Sequence, residues 1–246
     1  MTRTYRVLVV VAGATALVVT LGCGVINQAK DLVDNVATLS DFADRLGKAQ
    51  NLTYTAKYDI VGQGDDKARL TLAQEPPNTV FIGKNGRYLF TSEATYLCET
   101  GSGETTCTRS PSAATAAGAD GAALATAAGG TFVSPELALG LVLAASVVPG
   151  AKVSKSEKTI ADQDALCADV TGLEAAASPG DTDAVRDFSV CVTSDGVLAS
   201  FSGSLSNGET TKVEMTSYQD SADAKLFEVP KGAKIVDAGA LPTPTG

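Results

Sequence analysis

Leu52-Thr53-Tyr54-Thr55-Ala56-Lys57-Tyr58-Asp59-Ile60 is where the chain changes period. Leu52, Tyr54, Ala56, Tyr58 and Ile60 fall on one side, and Thr53, Thr55, Lys57 and Asp59 on the other. This is the alternation of a strand with one buried and one wet face. Upstream, Val25, Ala29, Leu32, Val36, Leu39, Ala43 and Leu46 recur at spacings of three and four, with Asp31, Asp34, Asp41, Asp44 and Arg45 between them. That pattern predicts an amphipathic helix over 25–50. Downstream, Gly62-Gln63-Gly64-Asp65-Asp66 reads as a turn, and Lys67 to Gln74 returns with Leu70 and Leu72 on one face until Pro76-Pro77 ends it. Thr79 to Gly83, Arg87 to Ser92 and Thr95 to Glu99 follow as short strands, separated by Lys84-Asn85-Gly86 and Glu93-Ala94. The whole reads as an antiparallel meander.

Residues 111–131 are almost wholly Ala, Gly, Thr and Ser, and are expected to form a mobile loop. Next, Ser134 suits a helix cap, Pro135 the first helical position and Glu136 the positive end of the helix. From Leu137 to Val148 this helix carries no charge, and Pro149-Gly150 stops it. An all-round apolar helix needs cover on every face, which fits either a buried core helix or a wall or lid of an apolar cavity. Period two then returns over Ala151–Ile160, Ala165–Thr171, Asp187–Thr193, Val197–Leu205 and Thr210–Tyr218. The turns Ser194-Asp195-Gly196 and Ser206-Asn207-Gly208 are strong hairpin signals, so a second meander is expected. The end, Lys225 to Val236, leads into a Pro/Thr tail, 239–246, expected to be disordered.

Basic residues Arg3 and Arg6 precede the apolar run Val7 to Leu21, which is shorter than the about 20 residues a membrane helix needs. Leu21-Gly22-Cys23 resembles a lipobox, with Thr20 and Leu21 in an unusual order. Residues 1–22 are therefore expected to be a lipoprotein signal peptide, an uncleaved anchor being the alternative, and Cys23 the lipidation site. The protein would then be extracytoplasmic, held at the cell membrane by the lipid on Cys23. Loss of Arg3 and Arg6 from the 19 basic residues leaves 17 against 28 acidic ones, a mature charge of −11. Such a surface disfavours nucleic acid as a partner. Four cysteines remain. Cys98 and Cys107 are equally spaced about Gly101-Ser102-Gly103-Glu104, which places them opposite each other in a hairpin and leaves Cys167 to pair with Cys191.

Enzyme constellations are missing. The chain has no His, which removes Ser-His-Asp and Cys-His arrangements and the usual zinc sites. No Gly-x-Ser-x-Gly occurs, Gly62-x-Gly64 lacks a third glycine, and Asp65-Asp66 sits in a turn where solvation explains it. No catalytic residue, cofactor or metal is expected.

The lipidated cysteine, first helix, meander, apolar helix, second meander and closing Phe227-x-x-Pro230-x-Gly232 resemble the LolA/LppX-like superfamily. Thr71-Leu72-Ala73-Gln74-Glu75-Pro76-Pro77 also looks like its actinobacterial members. The four cysteines and the Ala/Gly loop are not general features of that group. The resemblance implies an α+β fold: a strongly curved antiparallel sheet, an incomplete β-barrel, wrapped around the N-terminal helix and the central apolar helix. It would occupy 23–238 as one domain. It also implies an apolar cavity taking acyl chains of a lipid or glycolipid ligand, with Leu70, Leu72, Ile82, Phe90, Leu137, Leu141 and Val142 as inward candidates for lipid binding. The alternative is an anchored, non-enzymatic structural or protein-interaction module with a filled core. For the anchor, Cys23→Ala is expected to release the protein from membranes or stall it as precursor, read by mass and membrane partition. Unchanged mass and partition would contradict lipidation.

Overall fold

The computed structural model describes residues 40–238, apart from 43, 46–47, 63–66, 85, 102, 112–134, 149 and 177–184; for 135–139 and 175–176 it describes the backbone alone. The expected signal peptide, Cys23, most of the 25–50 helix, the 112–131 part of the Ala/Gly loop and the 239–246 tail lie outside the described residues.

Residues 40–42, 44–45 and 48–49 are helical and lead into β1 (Tyr54–Val61). A run of hairpins follows: β2 (Lys67–Glu75), β3 (Asn78–Gly83), β4 (Gly86–Phe90), β5 (Ala94–Gly101) and β6 (Glu104–Pro111). Pro111, expected to open the Ala/Gly loop, thus closes a strand. After the helix α1 (Pro135–Ser146) come β7 (Lys152–Ile160), β8 (Gln163–Thr171), β9 (Val185–Thr193), β10 (Leu198–Leu205) and β11 (Thr210–Gln219). A 3-10 turn at Ala224–Phe227 and β12 (Lys234–Asp237) end the described chain.

The two expected meanders are halves of one sheet, in the order β12-β6-β5-β4-β3-β2-β1-β11-β10-β9-β8-β7. They join where β1 pairs with β11, Ile60 opposite Val213 and Tyr58 opposite Met215. The sheet is not wholly antiparallel as expected, because β12 runs parallel to β6 with Ile235 beside Cys107. The sheet is curved and unclosed, β12 and β7 being its edges. The helical residues before β1 show why it must curl. Gln74 of β2 donates to Ala49 O and Leu52 O, while Asp41 pairs with Lys155 of β7, six strands away from β2. A flat sheet would hold those two strands about 29 Å apart, six strand spacings, yet this short stretch touches both. Bulges at Lys57/Tyr58, Leu198/Ser200 and Ser204/Leu205 bend the strands involved.

Register sorts the side chains. Tyr54, Ala56, Tyr58 and Ile60 face the main core with Leu70 and Leu72 of β2, Val213 and Met215 of β11, and Leu166, Ala168, Val190 and Val192 of β8 and β9. Phe42 and, from α1, Val142 and Ala145 belong to this same cluster. At its centre, Tyr58 is 1% exposed, and its hydroxyl donates to Leu198 O at 2.9 Å. Burial pushes its phenol well above the ordinary range, so the neutral donor form is the one the core holds.

A smaller cluster, Ala73, Val80 and Leu89, occupies the opposite face and is covered by Leu226, Phe227 and Val229. Arg87 fixes that covering segment by donating to Leu226 O and, at 2.8 Å, to Glu228 O. Gly232, at φ 83°, sits in the turn that Ala233 N closes on Pro230 O, and this turn feeds β12. The closing Phe-x-x-Pro-x-Gly phrase is therefore a strap: one apolar plug, one turn and one edge strand. Both disulfides join directly opposed residues, Cys98–Cys107 across β5–β6 and Cys167–Cys191 across β8–β9. Tyr58→Phe removes the donor from a buried carbonyl and is expected to cost about 1–3 kcal/mol in urea unfolding. An unchanged midpoint would show that this bond contributes nothing.

Candidate functional site

The inner face of β2–β4 is built by two short loops. Glu75 pairs with Asn78 across Pro76-Pro77, and Gly83 with Gly86 across residues 84–85. Each loop of two residues inverts parity, so Leu72 lies beside Phe81, and Phe81 beside Tyr88. Gly86 is required at the second loop, since a Cβ there would meet the Cys98 carbonyl oxygen at 2.0 Å. The resulting wall is aromatic: the Phe81 and Phe90 rings meet edge-on at 6.1 Å, and Tyr88 tilts against Phe90 at 4.8 Å.

Of the seven expected inward residues, Leu70, Leu72 and Val142 are members of the main core, and Phe90 and Leu141 pack against it. Ile82 is a correction. It pairs with Thr71, on the opposite face from Leu70 and Leu72, and packs instead against the smaller cluster. The reason is the parity inversion at Pro76-Pro77, which turns Phe81 inward in its place. Leu137 lies in α1, and its side chain is outside the described residues. Phe81 and Tyr88 are not singled out by the sequence, where Lys84-Asn85-Gly86 marks a turn but not the Gly83–Gly86 pairing that sets Tyr88 beside Phe81.

Burial falls across this wall. Leu70 is 1% exposed, Leu72 5% and Phe81 7%, whereas Tyr88, Phe90 and, on β5, Leu97 are only half-buried. On α1, Val142 is buried and Leu141 half-buried, while Leu143 is 47% exposed. The inner positions of β1–β4 bear no charged residue, yet the outer positions of the same strands bear Lys57, Asp59, Lys67, Arg69, Glu75 and Arg87. Such a surface can exclude water and hold hydrocarbon, and its strand positions carry no carboxylate, amine, guanidinium or thiol. Among the described residues no group of three His, Cys, Asp or Glu side chains could hold a metal ion.

No family model and no curated protein matches the sequence. Among solved structures, an uncharacterized conserved protein from Thermus thermophilus is similar at 9% identity and a TM-score of 0.46, over 81% of this chain and 98% of that one. The lipoprotein LppX of Mycobacterium tuberculosis is similar at 13% identity and a TM-score of 0.41, over 76% of this chain and 97% of that one. A chain of the Pseudomonas aeruginosa MucA/MucB complex is similar at 11% identity and a TM-score of 0.47, over 80% of this chain; this chain spans 63% of it, less than two thirds of its length. At these identities no ligand, activity or partner transfers.

Proposed function

We propose that the protein is an extracytoplasmic lipoprotein, anchored through Cys23, that binds the acyl chains of a lipid or glycolipid against the inner face of its sheet, without catalysis. The observation that carries this reading is the uncharged inner face of β1–β4, which ends in the half-buried Tyr88, Phe90 and Leu97 at the margin of the core. Hydrocarbon laid there would remove apolar surface from water at about 25 cal/mol per Å2. The two disulfides suit an oxidising compartment, and the apolar leader suits export. The LolA/LppX-like resemblance of the sequence points the same way. The lipid is set by its hydrocarbon; no charged side chain at the described inner positions of β1–β4 selects a headgroup.

A second reading, an anchored structural module, is favoured by the burial of Leu70 and Val142, which already fill their part of the interior. The two readings part at Phe90. In the full chain, a fluorescent fatty-acyl probe is expected to bind saturably. Phe90→Asp, at a half-buried site that water reaches, should weaken probe binding at least about tenfold while the fold survives. Leu70→Asp buries an unpaired charge at a cost of several kcal/mol and should unfold the domain. Absence of saturable uptake by the parent would reject acyl binding and leave the structural module.

A further inference from the structure

On the face turned away from the main core, β1, β2, β3 and β11 border an open groove of about 750 Å3, within the size range of ligand sites. Among the described residues its lining holds four cations, Lys67, Arg69, Lys84 and Lys212, against two carboxylates, Asp59 and Glu214. In a chain of 19 basic and 28 acidic residues the described lining thus reverses the overall sign. Arg69 pairs with Asp59 at 3.4 Å, and Lys212 pairs with Glu214. Lys67 and Lys84 form no ion pair with a described residue. They come from separate places, the start of β2 and the β3–β4 turn, yet border the same space. Thr71 and Thr216 add hydroxyls, and Ile82 and Val61 add apolar surface.

We propose that this groove binds a phosphate-bearing organic anion. Lys67 and Lys84 take the phosphate as the two lining cations that form no ion pair with a described residue, and the Arg69 guanidinium supplies a planar donor fork beside them. The space exceeds what a bare inorganic ion fills, and Ile82 and Val61 give the organic part a surface to lie on. A small soluble phosphate ester and the headgroup of an anionic lipid share this chemistry. The site is independent of acyl binding, which uses the other face of the sheet.

The test uses the full chain in neutral detergent micelles, titrated with sn-glycerol 3-phosphate, dihexanoyl phosphatidylglycerol or dihexanoyl phosphatidylcholine, with amide NMR shifts as the readout. Either anionic probe should shift the Lys67, Arg69 and Lys84 amides saturably and more weakly as salt rises. Lys67→Gln/Lys84→Gln should weaken that binding roughly tenfold or more without changing the melting temperature. It should leave any phosphatidylcholine response as in the parent. Binding of the glycerol phosphate identifies a free phosphate ester as a sufficient ligand, and binding of phosphatidylglycerol alone identifies a headgroup; both support the site. Lys152→Gln/Lys158→Gln, on the exposed edge strand β7, is the control. No saturable shift with either anion, or equal weakening by the control pair, would overturn the proposal, whatever the outcome of the acyl-probe experiment.

Discussion

Everything in this fold depends on β1 being hydrogen-bonded along both edges. Its partner on one side, β2, is its sequence neighbour, but its partner on the other, β11, brings Gln219 opposite Thr55. Closing a loop of that length costs conformational entropy before any contact rewards it. The reward is collected at Tyr58. Its ring enters the interior where β1, β10 and β11 meet, and its hydroxyl satisfies the Leu198 carbonyl across the core. Without the β1–β11 ladder the two hairpin runs would be separate sheets, each with an open edge and half a core.

The curl of the joined sheet then divides its two faces between different tasks. Inward, the uncharged positions of β1–β4 share one core with Phe42 and with Val142 and Ala145 of α1, a helix that itself lies against β7 and β8. Outward, the strap from Ser221 to Asp237 covers the small cluster beneath β2–β4 and ends as the edge strand β12, tied by Arg109 to Asp237 at 2.7 Å. Thr55 holds the start of the strap by donating to Ser221 O at 2.8 Å. Where the strap does not reach, the outer face stays open and charged, and the groove beside Lys67 and Lys84 lies there.

Much of this was legible in the residues. Alternation located the strands, and Asp195-Gly196 and Asn207-Gly208 located two hairpins, because glycine is needed at the positive φ found at Gly196 and Gly208. The β7–β8 turn left no such mark: Ala161 and Asp162 hold φ 50° and 61° without glycine, so alternation alone starts β8 two residues late. Parity was the harder matter. Pro76-Pro77 announces a turn but not that only two residues bridge β2 and β3, and that detail puts Phe81 rather than Ile82 on the apolar wall. The long-range ladders β1–β11 and β6–β12 had no local signal at all. The pairing of strands distant in sequence is set by which faces can be buried together, a property of the whole chain.

The central claim is that the apolar inner face holds hydrocarbon and is not merely the surface of a filled core. The most direct measurement is native mass spectrometry of the full chain purified from the cells that make it, before and after organic extraction. A lipid-binding protein should carry a mass excess, beyond any covalent lipid on Cys23, that extraction removes and that lipid analysis identifies as acyl-bearing. A chain with the same mass before and after extraction would contradict the account.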